Sequence, residues 1–160
     1  MVSIPSVSGN EHEIASYVEK YLSDHGYKTE VVPTPGCGPT ILAHQRFQSK
    51  KPRLLLYGHL DTVKPAEGWT YPCFKPTTVG NLLYGLGSSD MKGGLSALMV
   101  AAAKLTPMEL GGSLTLAFTS DEELHSRGCD TLIRRGKLRK IDGGISAEPT
   151  GLGLMHVGRR

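Results

Sequence analysis

An α/β sandwich built on a mainly parallel sheet is the fold class that this sequence predicts, and three observations carry the prediction. Segments with the period of two of a strand alternate along the chain with segments of helical period. RLLLYG, Arg53 to Gly58, is an unbroken apolar run, as expected of a strand covered on both faces of a parallel sheet. LSALMVAAAKL, from Leu95 onward, is apolar nearly all round and reads as a buried helix. With 160 residues, 39% of them hydrophobic, the chain is long enough for one domain with a real core.

The elements follow in order. SVSGNEHEIASYVEKYLSDHG, from Ser6, reads as the first helix: Ser8 and Glu11 have capping-box spacing, and Gly26 stops it. Ile14, Tyr17, Val18, Tyr21 and Leu22 form its apolar stripe. YKTEVVP and TILAHQRF read as strands, with Lys50 and Lys51 in the turn after them. Between Lys64 and Gly80 the chain has loop composition, rich in Pro, Gly and aromatics. The short strand NLLYG leads into GLGSSDMKGG and the apolar helix. SLTLAF alternates as a half-buried strand; a helix near Arg127 to Arg135 and the short strand GGISAE complete the pattern.

Bulk properties narrow the function classes. The net charge of +3 comes largely from RRGKLRK, Arg134 to Lys140, which reads as a solvated helix end and turn and not as a nucleic-acid surface. No apolar stretch has the length of a membrane span, and no signal peptide opens the chain. Cys37, Cys73 and Cys129 are odd in number and scattered, which suits free thiols in a reducing compartment. The expected location is the cytoplasm.

Ligands of open α/β sheets bind at the carboxyl ends of the strands, and metal-capable residues collect there. RLLLYG runs into His59 and Asp61, NLLYGLGSS into Asp90, SLTLAFTS into Glu122 and Glu123, and GGISA into Glu148. A single acidic turn needs no explanation beyond solvent. Four strand ends with His or carboxylate are different, because converging carboxylates repel unless cations neutralise them. One imidazole among several carboxylates suits Zn²⁺ or a similar divalent ion. A phosphate loop at GLGSSD fits poorly: Asp90 stands where G-x-G-x-x-G needs glycine, and no G-K-[ST] follows. No G-x-S-x-G nucleophile elbow is present either.

Taken together, GHLDTV, YGLGSSDMKGG, TSDEEL and AEPT, in that order, resemble metallopeptidase family twenty. This is the family of aminoacylases, acetylornithine deacetylases, succinyl-diaminopimelate desuccinylases and glutamate carboxypeptidases. The resemblance runs from IPSVSG to HVG, nearly the whole chain. It implies a three-layer sandwich with a mainly parallel mixed sheet, of the zinc-exopeptidase kind. It implies two zinc ions, with cobalt as a possible substitute. His59 and Glu148 would hold one ion and Glu123 the other, with Asp90 bridging. Asp61 would hold the ring of His59, and Glu122 would be the general base, since neighbours on an extended segment point to opposite sides. A cis peptide between Asp90 and Met91 is also implied. The implied reaction is removal of an acyl group from an N-acyl amino acid. Within the family a dipeptidase or carboxypeptidase is the alternative, and a non-catalytic metal-binding or interaction domain is the alternative outside it. The implied partner is a small N-acyl amino acid or short peptide, with neither nucleic acid nor membrane, and the parent protein is expected to be a homodimer.

Two departures stand out. His125 occupies a position where the family often has Gly, and it reads as a tolerated loop residue. The family pattern also continues past MHVGRR into a dimerisation domain and a returning segment with a further His ligand. Residues 1–160 are therefore expected to be the N-terminal portion of a catalytic domain, with His156 matching the exit strand and not that ligand.

Overall fold

The computed structural model describes residues 1–47, 52–105, 111–151 and 153. Helix α1 (His12–Asp24) is followed by strands β1 (Lys28–Val32), β2 (Thr40–Arg46) and β3 (Arg53–His59). A small pair, β4 (Thr77–Val79) and β5 (Leu82–Tyr84), precedes helix α2 (Lys92–Lys104). Strand β6 (Ser113–Thr119), helix α3 (Arg127–Arg134) and strand β7 (Gly143–Ser146) complete the order. Lys50, Lys51 and His156 lie outside the described residues.

The main sheet has the order β1-β2-β6-β3-β7. Only β2 runs against the others; β3 lies parallel to both β6 and β7. SLTLAF, read as half-buried, is covered on both faces toward its carboxyl end, and its period of two sorts side chains between two cores. Leu114, Leu116 and Phe118 join Ile41, Ala43 and Leu56 beneath α1 and α2. Ala117 joins Val32 and Leu42 on the other face, against Leu132 of α3. Helices on both faces of one sheet make the three layers expected, and they leave the carboxyl ends of β3, β6 and β7 at a common edge.

Several local expectations are corrected. Helix α1 begins at His12, without a side-chain cap. Ser8 and Glu11 are not a capping box, because their side chains bond elsewhere: Ser8 Oγ to Asp61, and Glu11 to three backbone N–H groups. Of its stripe, Ile14, Val18 and Leu22 are buried, whereas Tyr17 stands 45% exposed at the margin. Helix α2 is not buried all round: Leu95, Met99 and Ala102 face the sheet and Val100 is 46% exposed. Strand β3 is likewise covered unevenly, with Leu54 partly open to solvent. The stretch read as loop up to Gly80 contains β4, which pairs with β5 through a two-residue connection, Val79 opposite Leu82.

The entry to α2 needs glycine for a steric reason. A Cβ at Gly93 would collide with the carbonyl of Ser88, and one at Gly94 with that of Ala147. Lys92 at this entry is buried, its Nζ donating to the carbonyl of Ile4 at 2.7 Å. Burial drives its ammonium down to about 8. The basic run after α3 is solvated and partly paired, Arg134 with Asp130 at 2.8 Å and Lys137 with Glu30 at 2.7 Å. All three cysteines are free. Among the described residues no helix is long and apolar enough to cross a membrane.

Leu116, wholly buried in the central strand β6, sets a test of the core. Leu116→Ala is expected to cost about 2–5 kcal/mol in urea unfolding. Leu82→Ala, on the exposed β4–β5 pair, is expected to shift stability by no more than about 0.5 kcal/mol.

Candidate metal centre

His59 ends β3 with its side chain 1% exposed. Its backbone N–H donates to Met91 Sδ at 3.1 Å, which ties the strand end to the entry of α2. Ring Nδ1 lies 3.0 Å from the backbone carbonyl of Asp61 and 3.5 Å from Asp61 Oδ1. A carbonyl only accepts, so Nδ1 carries the proton and Nε2 is the atom offered to the site. Nε2 sits 3.1 Å from Asp90 Oδ1, 3.9 Å from Glu122 Oε2 and 4.0 Å from Glu148 Oε2.

One donor atom each from His59, Asp90 and Glu123 all lie within 4.8 Å of one another, close enough to share a cation. The edge of the sheet thus brings together His59, Asp90, Glu122, Glu123 and Glu148. They arrive by different routes. His59 ends β3, Glu122 and Glu123 follow β6, and Glu148 follows β7. Asp90 does not follow a strand of the main sheet, since β5 belongs to the separate pair; it stands at the entrance to α2. The peptide between Asp90 and Met91 is cis.

Asp61 is fully buried and does more than face the imidazole. Its Oδ1 accepts the N–H of Glu122 at 3.0 Å, and its Oδ2 accepts the N–H of Glu123 at 3.1 Å and the Ser8 hydroxyl at 2.6 Å. The IPSVSG segment lies beside it: Thr62 N–H donates to Ser6 O, and Ser8 N–H to Thr62 O. Asp121 turns away from the cluster, its carboxylate 3.4 Å from His125 Nδ1 and 3.5 Å from Arg127 Nε. His125 is thus paired with Asp121, and it is not part of the three-residue group around His59.

The electrostatics follow from this crowding. Burial would lower the His59 imidazolium, but the hydrogen bond and charge of Asp61, with Glu148 and Glu122, outweigh it and raise the group to about 9. Burial would raise Asp61, yet the hydrogen bonds from His59, Ser8 and the Glu122 and Glu123 amides hold it below the ordinary range. Burial raises Glu123 and Glu148, and the charge of Asp90 adds to both. The charge of the His59 imidazolium offsets part of the carboxylate repulsion.

A cleft of about 410 Å³ opens beside Asp90 and Glu123, walled by Val63, Trp69, Leu83 and Tyr84. Its size is that of a small-molecule site. A second cleft of about 400 Å³, at the opposite edge near Arg46, Arg53, Lys137 and Arg139, has no carboxylate in its lining and no part in this cluster. Ser8 and Glu11, which bond Asp61 and the Asp121 amide, and the buried Lys92, which bonds the carbonyls of Met1 and Ile4, have long-range partners that sequence reasoning missed. The capping-box spacing of Ser8 and Glu11 concealed a long-range role, and a lysine in SSDMKGG gave no sign of being buried.

Comparison with known proteins gives the lineage. The model of peptidase family M20/M25/M40 matches residues 55–158. A probable succinyl-diaminopimelate desuccinylase of Staphylococcus aureus is 32% identical over 161 residues, covering 98% of this chain and 40% of that protein. A succinyl-diaminopimelate desuccinylase of Sphingopyxis alaskensis is 33% identical over 171 residues, covering 100% of this chain and 45% of that protein. Among solved structures, an M20 family metallo-carboxypeptidase from Sulfolobus solfataricus matches 91% of this chain and 35% of its own, with TM-score 0.79 and 28% identity. Human carnosine dipeptidase 1 shares the fold, with TM-score 0.77 and 24% identity over 91% of this chain and 36% of its own. The chain spans less than half the length of these relatives. With the family model covering most of the sequence and the fold matching as well, the chain belongs to peptidase family M20/M25/M40, a family of metal-dependent hydrolases.

Proposed function

We propose that this chain carries the metal-binding machinery of an amide hydrolase that removes an acyl group from an N-acyl amino acid, of the acetylornithine deacetylase or succinyl-diaminopimelate desuccinylase type. The observation that carries this reading is the buried His59, whose Nε2 faces Asp90, Glu122 and Glu148 at one edge of the sheet. The desuccinylase names of two relatives support the substrate class. An exopeptidase is the second reading, favoured by the likeness to a metallo-carboxypeptidase of this family. A homodimeric parent protein is part of the same proposal.

The donor set fits a divalent cation of the zinc type, since it combines one imidazole nitrogen with carboxylates at suitable separations. His59 and Glu148 would hold one ion, Glu123 a second, and Asp90 would bridge them. When bound, such ions acidify a water and polarise the scissile carbonyl. The chain's own residues do the rest. Asp61 fixes the imidazole and holds the amides of both glutamates. Glu122, left off the metals, takes a proton from the attacking water at its carboxylate and returns it to the leaving nitrogen. The amide splits into a carboxylate and an amine. The cleft walled by Val63, Trp69, Leu83 and Tyr84 gives the substrate a place beside Asp90 and Glu123.

A pair of substitutions tests the division of labour. In the intact parent enzyme, Glu122→Gln is expected to keep its bound metal and lose hydrolysis of N-acyl amino acids by roughly 10²–10⁴-fold. Glu123→Gln is expected to lose metal as well, read by metal analysis after gel filtration. The reverse pattern would exchange the two roles.

Metal uptake should also move protons. The metal-free imidazolium, raised to about 9, is charged at pH 7, and a cation can bind Nε2 only after that proton leaves. Affinity for Zn²⁺ should therefore rise with pH through neutrality and level off above about 9. The calorimetric heat at pH 7 should vary with the ionisation enthalpy of the buffer. Uptake of Zn²⁺ with no proton release would remove His59 from the ligand set. In the same titration the chain is expected to bind close to one tight ion and to show little amidase activity. Two equally tight ions with full turnover would point to a ligand not yet assigned, His125 being the first to test.

A further inference from the structure

Glu11 is 0% exposed, and among the described residues no cation pairs its carboxylate. Backbone donors satisfy it. Oε1 accepts the N–H of Gly9 at 2.8 Å and of Asp121 at 3.1 Å, and Oε2 accepts the N–H of Gly38 at 2.7 Å. These donors belong to three separate segments: the stretch beside Ser8, the β1–β2 connection, and the turn that follows β6. Hydrogen bonds to a charged acceptor are about twice as strong as neutral ones, and breaking them here would leave a carboxylate buried without partners.

The turn after β6 is held by its successive amides. Glu11 binds the N–H of Asp121, and Asp61 binds those of Glu122 and Glu123. Asp121 has φ +61°, a left-handed conformation that a non-glycine residue keeps only when its surroundings enforce it. Glu11 is one such enforcement. It is itself wedged in place, for a Cβ at Gly38 would lie 2.8 Å from Glu11 Cβ and 2.9 Å from its Cα.

We infer that Glu11 is a positioning residue of the metal centre: by fixing the Asp121 amide it sets how Glu122 and Glu123 splay from the turn. It touches no reacting atom. This inference rests on the metal reading proposed above. It predicts that loss of the Glu11 carboxylate disturbs the centre out of proportion to its effect on the fold.

The test uses the 160-residue chain and Co²⁺, with two readouts: amide hydrogen exchange of the metal-free chain, and the affinity and visible absorption of the cobalt form. In Glu11→Gln one carboxylate oxygen becomes an NH₂ that faces a donor. Exchange should quicken at Asp121, Glu122 and Glu123 while Leu116 in β6 stays protected. Cobalt affinity should fall by about 10–100-fold, the range seen when an outer partner of a metal ligand is removed, and the absorption bands should shift. Leu22→Ala, buried in α1 away from the cluster, is the control for simple destabilisation. It should lower the thermal midpoint and leave the cobalt spectrum unchanged. Gly38→Ala pushes on Glu11 from the other side, keeps its charge, and should reproduce the cobalt shift. Unchanged exchange at Asp121 to Glu123, or a Gly38→Ala or Glu11→Gln chain that binds cobalt like Leu22→Ala, overturns the inference. Failure of the unsubstituted chain to bind cobalt overturns the metal reading itself, and that control keeps the two failures apart.

Discussion

Two buried carboxylates, Glu11 and Asp61, grip the backbone N–H groups of Asp121, Glu122 and Glu123, and the geometry of the centre hangs on that grip. Acidic side chains gathered at one edge would otherwise drive the turn outward into water. Backbone amides let a carboxylate be buried without a neutralising cation nearby. The consequence reaches both ways along the chain. Asp61 is fixed by Ser8 from the segment before α1, and Glu11 is fixed by Gly38 from the connection before β2. Segments far apart in sequence are thus locked to the carboxyl ends of β3 and β6 before any ion is considered.

Much of this was legible in the sequence. SLTLAF was legible as a strand, and Leu114, Leu116 and Phe118 do share one core, but the half-buried reading understated its cover, since Ala117 is buried in a second core on the other face. The HLD and DEE stretches follow directly on β3 and β6, so strand ends and polar residues could be read together. The illegible parts share one cause, which is that sequence spacing does not say where a side chain finds its partner. Ser8 and Glu11 stand three apart, as a capping box would, but both reach across the fold instead. Lys92 sits in a glycine-rich stretch that gives no hint of burial, and the carbonyls it binds belong to residues at the start of the chain. Strand β4 was hidden inside loop composition, although the Gly80–Asn81 dipeptide before the strand read in NLLYG was the available signal.

Helix α2 and strand β3 show a different limit. Apolar residues all round a helix predict cover on all sides, yet Ala97, Val100 and Ala101 face solvent here, as does β7 along its length. Composition records what a surface is suited to meet, whereas exposure depends on which chain is present to meet it. This chain spans 40% and 45% of two relatives' lengths.

The same reasoning bears on the charge of the centre. Among the described residues His59 is the one imidazole facing Asp61, Asp90, Glu122 and Glu148, and Asp61, Glu148 and Glu122 raise it to about 9 against the effect of burial. A raised imidazole contributes stability that is complete below its unfolded value near 6.5 and is lost as pH climbs toward 9. Glu123 and Glu148, pushed upward by burial and by Asp90, work the other way: their ionised forms are less comfortable folded than unfolded. The imidazolium thus offsets part of the carboxylate repulsion, and that contribution is lost as pH rises. A divalent ion at Nε2 supplies twice the charge and does not depart with rising pH. The arrangement that is electrostatically frustrated when empty is the one best stabilised by the ion it is proposed to bind.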